Sequence, residues 1–295
     1  MNDVETYERH RPLLFSIAYR MLGSVVEAED VVQEAYLRWR EAPEGKMQAP
    51  RKYLSTVVAR LCIDRLRSAR SRREEYVGPW LPEPLLTEES LDLADMAALD
   101  ESLSMAFLVL LESLTPVERA VFLLREVFGY GYDEISHVVD KSEANCRQIA
   151  RRAREAVAAR RPRFESSREQ EERLAGRFVE ACQSGDMEGL LGLLSEDVTL
   201  YSDGGGKARA ALNPIRSSER VARFLLGILS KVPSDFSVRT TKVNGEPGIL
   251  GYEGGRPTSV TTLEAAEGRI RAIRIVVNPE KLRTLPPLRQ EEGSG

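Results

Sequence analysis

Two amphipathic segments separated by three residues constrain the fold of this chain more than any other feature. The first, Tyr132–Val139 (YDEISHVV), predicts a short helix, and Asp140-Lys141-Ser142 predicts a turn. Ser142 is a favourable N-cap for a second helix, which reads EANCRQIARRAREAVAAR. Two helices, a tight turn and a basic second helix indicate a helix-turn-helix. The alternative interpretation is an ordinary αα-hairpin inside a helical bundle.

The polar face of this second helix carries residue types that read DNA. In a helix-turn-helix the first turns of the second helix enter the major groove. Arg bonds bidentately to guanine there, and Asn or Gln bonds to adenine, whereas arginines further along more often meet phosphates. The predicted contacts to bases or adjacent phosphates are Asn145, Arg147, Gln148, Arg151 and Arg152.

Charge is segregated along the chain, although its net value is only −4. Residues 51–73 contain eight Lys or Arg and one acid, and residues 144–163 contain seven Arg and one acid. Between them, residues 76–105 contain seven acids and no base. Two basic patches on amphipathic helices indicate a polyanionic partner more strongly than the total charge argues against one. The alternative is two solvated helix faces.

Several classes of protein are disfavoured by composition. The three cysteines are far apart and form no CxxC pair, and only two histidines are present, so we expect no disulfide framework, metal or cofactor. The longest apolar run, Met105–Leu111, is far shorter than the ~20 residues of a membrane span. The charged first twelve residues lack the apolar core of a signal peptide. These features predict a cytoplasmic protein without a membrane partner.

Helical and turn patterns divide the chain into a multi-domain protein. Thr115-Pro116-Val117-Glu118 marks a helix start in the second helical region, and Gly129 and Gly131 mark its end. Near the C-terminus, helices alternate with strand-like segments, and Glu267-Gly268 predicts a hairpin turn. This order favours helices packed on a curved antiparallel sheet. The predicted divisions are a helical domain at 1–75, an acidic linker at 76–102, a second helical domain at 103–163, an α+β domain at 168–285 and a tail at 286–295.

The two helical regions resemble the extracytoplasmic-function (ECF) group of bacterial sigma factors. AEDVVQEAYLRW at 28–39 resembles the helix that engages the clamp helices of the largest RNA polymerase subunit. YLSTVVARLCIDRLRSARSRR at 53–73 resembles the helix that recognises and helps to open the −10 element. LTPVERAVFLLREVFGYGYDEIS followed by SEANCRQIARRARE resembles the domain that reads the −35 element. Order and spacing match over residues 4–163.

This resemblance implies partners and contact residues. The partners would be core RNA polymerase and promoter DNA at the −35 and −10 elements. Polymerase contacts are expected from Asp30, Gln33 and Glu34, and −10 contacts from Arg65, Arg67, Arg70, Arg72 and Arg73. Many family members have Asn where this chain has Leu61. The leucine side chain cannot hydrogen-bond a base, so base readout is not assigned to Leu61. The loop 42–50 stays a candidate.

The C-terminal region resembles the SnoaL-like, NTF2-like cone fold, which one ECF subgroup carries as a fused domain. That subgroup has WLPEP in its linker, DGGGK in the extension and NPDKL near the end; here the last reads NPEKL, with Glu280 in place of Asp. The implied regulatory residues are Trp80, Pro82, Pro84, Asp203, Gly204, Gly205, Gly206, Lys207, Asn278, Pro279, Lys281 and Leu282. A regulatory domain acting in cis would require no separate anti-sigma protein, and an unidentified small ligand of this domain is compatible with the fold.

The linker stretch Trp80-Leu-Pro-Glu-Pro-Leu85 combines a large ring with a stiff, extended backbone. Two prolines reduce the entropy cost of docking an extended segment. We therefore expect a docking strip anchored by Trp80, with the DGGGK loop as its receptor and NPEKL nearby. The alternative is that Trp80 packs back onto the first helical domain. The acidic remainder, including Glu88, Glu89 and Asp92, is expected to occupy a basic channel of polymerase.

Two other functions stay open from the residues alone. One is a ligand-sensing helix-turn-helix regulator, which leaves the second basic patch unexplained. The other is a DNA-binding fusion with an NTF2-like enzyme. Residues 168–295 contain no histidine, and the best carboxylate, Asp203, lies in a Gly-Gly-Gly loop. We therefore expect no enzymatic activity.

Overall fold

A computed structural model describes residues 4–42, 49–74, 76–87, 100–159 and 167–288. The chain divides into two compact units. The first unit comprises residues 1–75 and 90–161, and the second comprises residues 76–89 and 162–295. The first part of the predicted linker is thus grouped with the C-terminal region, while residues 88–99 lie outside the described part.

The N-terminal half of the first unit is built from three helices. These are α1 (Val4–Leu22), α2 (Val25–Arg40) and α3 (Pro50–Glu74). Ser24 caps α2, since its hydroxyl accepts a hydrogen bond from the Glu27 amide. The apolar residues of α2, ending with Trp39, are buried. Leu61 on α3 is also buried, so it belongs to the core and has no exposed base-reading position.

The second half of this unit begins with a 3₁₀ turn (Asp100–Leu103) followed by four helices. They are α4 (Met105–Leu111), α5 (Pro116–Phe122), α6 (Tyr132–Val139) and α7 (Glu143–Ala158). The predicted start of α5 is confirmed as a capping box between Thr115 and Glu118. A π-turn, Leu123–Val127, extends α5, and Gly129 follows with a positive φ of 71°.

Buried polar contacts join the two halves of the first unit. The Tyr130 hydroxyl donates to Ser55 Oγ at 2.6 Å, and Arg119 Nη1 donates to the Met21 carbonyl at 2.7 Å. Arg60 Nε donates to the Val138 carbonyl at the end of α6, 3.1 Å away. The two predicted helical domains therefore pack together in one unit.

The second unit combines four helices with one six-stranded sheet. The helices are α8 (Arg168–Ser184), α9 (Met187–Leu193), α10 (Ser218–Leu229) and α11 (Pro279–Leu282). The strands are β1 (Leu194–Asp203), β2 (Ile215–Arg216), β3 (Ser237–Val243), β4 (Glu246–Glu253), β5 (Arg256–Ala266) and β6 (Arg269–Val276). The α+β class is confirmed.

The sheet is mixed, in the order β2-β1-β6-β5-β4-β3. The expectation of an antiparallel sheet is wrong at one position, because β1 pairs with β6 in parallel. The other neighbouring strands are antiparallel, and the predicted turn at Glu267-Gly268 is confirmed by positive φ at both residues. Helices α8, α9 and α10 contribute to an apolar core on the face of the sheet that carries Leu200, Ile249 and Ile273.

Strand β4 contains Pro247, Gly248 and Gly251, residue types that are rare inside strands. The structure explains both glycines. A Cβ at Gly248 would lie 2.5 Å from Val243 Cγ2, and one at Gly251 would lie 2.9 Å from the Phe236 ring. Close packing of neighbouring side chains therefore requires glycine within this strand.

Gly248→Ala is expected to lower the free energy of unfolding by ~1–3 kcal/mol, the usual cost of overpacking. The clash falls on Val243, which is fully buried and has a stiff, branched side chain. Urea denaturation of the full chain would measure the change. Gly176→Ala is the matched control: it lies on α8 with open space around its Cβ and should stabilise slightly. Equal midpoints for both variants would contradict this account of β4.

Among the described residues, no helix is long and apolar enough to cross a membrane. The same part of the chain holds no group of three or more His, Cys, Asp or Glu placed to bind a metal ion. The three cysteines are free thiols, and Cys62 and Cys146 are buried.

Candidate nucleic-acid interface and linker-docking site

The helix-turn-helix has the predicted boundaries. Asp140, directly after α6, adopts a left-handed conformation with φ 53°, and the Ser142 hydroxyl caps α7 by accepting from the Asn145 amide. The buried stripe of α7 includes Cys146 and Ile149. The apolar stripe of α7 is therefore packed inside the domain, and the polar face of α7 is exposed.

All five predicted −35 residues lie exposed on α7. Arg147 pairs with Glu143 at 2.9 Å and stacks over the Tyr132 ring, 5.1 Å from its centroid. Arg151 lies 3.8 Å from Glu155. Within the described residues, the side chains of Asn145, Gln148 and Arg152 make no hydrogen bond or ion pair. These three have their full bonding capacity available for a ligand.

The predicted polymerase-contact residues share one exposed surface of α2. Asp30 and Gln33 are exposed, Glu34 is half-exposed, and Leu37 beside them is 52% exposed. Leu37 is absent from the surface predicted from the sequence. Its helical spacing from Gln33 and Asp30 was the available signal.

Arg65, predicted as a −10 contact, lies against α2 instead of facing outward. Its Nη1 donates to the Glu27 carbonyl at 2.9 Å and lies 3.8 Å from Asp30, and its Nη2 lies 3.7 Å from Glu34. Arg67 is exposed and close to Asp64. The side chains of Arg70, Arg72 and Arg73 lie outside the described part, as does loop segment 43–48, although α3 itself continues to Glu74.

Residues 76–87, called the linker strip below, lie within the second unit as an extended segment. Asp203, at the end of β1, is its central acceptor and is fully buried. One carboxylate oxygen accepts from the Tyr76 hydroxyl at 2.6 Å, and the other accepts from the Leu81 amide at 2.8 Å and from Lys281 Nζ at 2.7 Å. The DGGGK loop is therefore the receptor of the strip through its aspartate.

The NPEKL segment forms the second wall of this docking site. Lys281 Nζ also donates to the Leu81 carbonyl and lies 4.4 Å from the centroid of the Trp80 ring. Asn278 donates from Nδ2 to the Tyr76 hydroxyl at 3.0 Å and caps α11 by accepting from the Glu280 amide. Pro279 opens α11 and Leu282 is buried. Burial, together with the hydrogen bond to Asp203, raises the pKa of Tyr76, so this phenol stays protonated as a donor.

Each glycine of the DGGGK loop has a steric reason. A Cβ at Gly204 would meet the Ala208 carbonyl at 2.4 Å, one at Gly205 would meet Asn278 at 2.2 Å, and one at Gly206 would meet Val77 at 3.3 Å. Gly205 and Gly206 also have positive φ. Lys207 pairs with Glu280 on the surface. The loop thus lets the backbone approach the strip and NPEKL closely.

The C-terminal half of the strip pairs with the edge of the sheet. The Thr87 amide donates to the Lys242 carbonyl at 3.0 Å, and the Asn244 amide donates to the Leu85 carbonyl at 2.7 Å. The Leu85 amide donates back to Asn244 Oδ1 at 3.1 Å. These partners of the strip were missed from the sequence, although Asn244-Gly245 is a strong hairpin signal.

Trp80 and the other apolar side chains of the strip differ in their burial. Trp80 is half-buried and lies over Lys281, whereas Leu81 and Leu85 are the buried apolar side chains of the strip, together with Pro82 and Pro84. Glu83 is also buried and accepts from Thr284 Oγ1 at 3.2 Å. Leu81 and Leu85 thus add buried apolar contacts beside the Trp80 ring, whose role as the anchor of the strip stays a prediction.

Comparison with known proteins covers nearly the whole chain. Residues 6–72 match the family described as Sigma-70 region 2, and residues 104–157 match Sigma-70, region 4. The chain is 39% identical over 302 residues to the ECF RNA polymerase sigma factor SigJ of Mycobacterium tuberculosis, spanning 98% of this chain and 95% of that protein. It is 34% identical over 291 residues to the probable ECF RNA polymerase sigma factor SigI of that species, spanning 98% and 97%.

The structural comparison agrees. The crystal structure of the M. tuberculosis extracytoplasmic function sigma factor SigJ matches with a TM-score of 0.77 and 34% identity, covering 95% of this chain and 98% of that chain. The predicted fold class, two all-α sigma domains followed by an α+β NTF2/SnoaL-like domain, is confirmed. The chain belongs to the ECF RNA polymerase sigma factors.

Proposed function

We propose that this sigma factor reads the −35 element with the exposed polar face of α7 and contacts the −10 element with α3 beyond Arg65. The observation that carries the first assignment is the position of Asn145, Gln148 and Arg152, which are exposed at the start and middle of α7 and make no side-chain bond within the described residues. The amide groups of Asn145 and Gln148 match the hydrogen-bonding edges of bases in the major groove, and the Arg152 guanidinium, further along α7, suits a phosphate. The basic run on α3 supplies phosphate contacts.

Polymerase binding is assigned to the surface of α2 that carries Asp30, Gln33, Glu34 and Leu37. An exposed leucine surrounded by acidic and amide groups suits a helical partner that offers an apolar groove and basic side chains. Arg65 on α3 stabilises α2 by donating a hydrogen bond to the Glu27 carbonyl. Its role in this proposal is to position α2 rather than to contact DNA.

Promoter reading requires the first unit to open. Elements at −35 and −10 are about 25 base pairs apart, or roughly 85 Å of duplex at ~3.4 Å per base pair. A compact body of about 150 residues has a radius of gyration of only ~15 Å. The packed arrangement held by Tyr130–Ser55, Arg119–Met21 and Arg60–Val138 therefore cannot engage both elements at once. Core polymerase must offset the loss of these contacts.

The C-terminal unit regulates this step in cis by holding the linker strip. The strip is the only covalent route from α3 to the second helical half, and it is docked on the C-terminal sheet through Asp203, Lys281 and Asn244. While it stays docked, the C-terminal unit must travel with the linker. If polymerase binds the linker, it must therefore either accommodate the C-terminal unit as well or displace the strip from that unit.

Run-off transcription with core polymerase tests the proposal. The full chain should give a promoter-specific product, and a version ending at residue 167 should change the yield by more than threefold at equal core binding. Removing only residues 289–295 is the matched control and should leave the yield unchanged. Specific DNA binding without core polymerase, and no product with it, would instead support a repressor.

A further inference from the structure

The second unit contains a large cavity on the face of the sheet opposite the linker strip. Its volume is about 820 Å³, and it opens between α8, α10 and the strands β3–β6. Ser202, which lines it, directly precedes Asp203 on β1, so the two side chains point to opposite faces. The cavity therefore shares strands with the docking site but is a separate space.

Most of the cavity wall is apolar. Aromatic and aliphatic side chains from α8, α10 and β3 line it, with Gly251 enlarging it because a side chain there would meet Phe236. The main apolar contributors are Phe178, Val179, Phe224, Ile228, Phe236 and Val238. A volume in the range of ~300–1,000 Å³ with such a lining is typical of small-molecule sites.

Hydroxyl groups are polar features of the sheet wall, and they come from Ser202, Ser237, Thr258, Ser259 and Thr261. Ser202, Ser259 and Thr261 line the cavity, and their hydroxyls make no hydrogen bond to any other residue that the structure describes. Hydroxyls both donate and accept, so they suit ligand oxygen atoms such as a carbonyl or a hydroxyl.

The charges near the cavity are at its rim. Arg209 and Glu253 line the cavity, but both residues are exposed. Cys182 also lines the cavity, and burial raises the pKa of its thiol to about 12, so the thiol is neutral. An ionised ligand group enclosed among these apolar side chains would lose its hydration without a counter-charge.

The residues that follow the described part of the chain do not suit this space. The described part ends at Leu288, whose amide donates to the Gly255 carbonyl. The remaining residues read RQEEGSG and are polar or charged apart from glycine. A separate apolar molecule therefore fits the cavity better than this tail does.

We propose that this cavity is the binding site for a neutral, mainly apolar small molecule that carries one or two oxygen atoms, with Ser202, Ser259 and Thr261 as its hydrogen-bonding partners. The site belongs to the second unit and does not include the residues that hold the linker strip. It needs no contribution from another chain.

The test uses 6-propionyl-2-dimethylaminonaphthalene, a neutral fluorescent ketone whose emission shifts to the blue in apolar surroundings. Titration into the full chain should give saturable 1:1 binding with a blue shift. The carboxylate analogue with the same ring system should bind at least tenfold more weakly. Linear, non-saturating fluorescence, or tighter binding of the carboxylate, would overturn the proposal.

Matched variants localise the binding. Val179→Trp fills the cavity from α8 and should weaken dye binding at least tenfold, whereas Glu180→Trp, on the outer face of the same helix, should change it by less than twofold. Thr261→Val keeps the shape and removes one hydroxyl, so it should weaken binding about two- to tenfold. Circular dichroism and thermal unfolding verify that each variant is folded. Equal binding by folded Val179→Trp and Glu180→Trp would overturn the location.

Discussion

Asp203→Asn is expected to release the linker strip from the C-terminal sheet and to lower the free energy of unfolding by ~3–5 kcal/mol, the usual cost of removing one partner from a buried ion pair. The Asp203 side chain is fully buried and that of Lys281 is 13% exposed. Asparagine keeps the size of the side chain but removes its charge and one acceptor. Lys281 is then left in a site without a compensating anion.

The release has a residue-level signature in backbone hydrogen exchange. The Leu81 amide donates directly to Asp203, whereas the Leu85 and Thr87 amides donate to Asn244 and to the Lys242 carbonyl. In Asp203→Asn, protection should fall most at Leu81 and less at Thr87. Urea denaturation would measure the accompanying loss of stability.

Glu280→Gln provides the matched control within the same group of residues. It removes the ion pair between Glu280 and Lys207. Both side chains are about half exposed, so solvent and salt screen this pair and its loss should hardly change stability. The linker strip should stay protected in this variant. If Asp203→Asn kept both the urea midpoint and the Leu81 protection of the parent, the ion pair would not be what holds the strip.

Helices in this chain are predictable because their signals are local. The capping box at Thr115, the N-cap at Ser142 and the stripe of α7 each lie within a few residues of the structure that they specify. The polar face of α7 follows from the same spacing. Sequence reasoning therefore found both the helix-turn-helix and its exposed residues.

Strand pairing and the docking site depend on distant residues. The parallel pairing of β1 with β6 joins Tyr201 to Arg274, and the bond from Tyr76 to Asp203 spans 127 positions. No periodicity within one segment encodes such a pairing. The motif resemblance brought WLPEP, DGGGK and NPEKL together, but it did not contain Tyr76 or Asn244. The latter lies in an Asn-Gly turn that predicts the hairpin but not its contact with the strip.

Gln148→Ala and Arg152→Ala are expected to weaken promoter binding in two different ways. Gln148 lies opposite the buried stripe of α7 and is assigned to a base edge, where a good contact contributes ~1–3 kcal/mol of discrimination. Its loss should weaken binding about 5- to 150-fold on the preferred −35 sequence and relax selectivity at one base pair. Arg152 is assigned to phosphate, so its loss should weaken binding to all sequences similarly.

The salt dependence of binding separates these two roles. Each phosphate contact releases about one counterion, so Arg152→Ala should reduce the slope of log affinity against log salt by ~1, whereas Gln148→Ala should leave that slope unchanged. Anisotropy titrations of the holoenzyme would use a promoter selected with the parent protein, together with variants of that promoter that each carry one base-pair substitution in the −35 element. Arg177→Ala, on the exposed face of α8, is the control with the same charge change and should match the parent. A uniform loss of affinity in Gln148→Ala, with a lower salt slope, would mean that its side chain contacts the backbone and that base recognition lies elsewhere on α7.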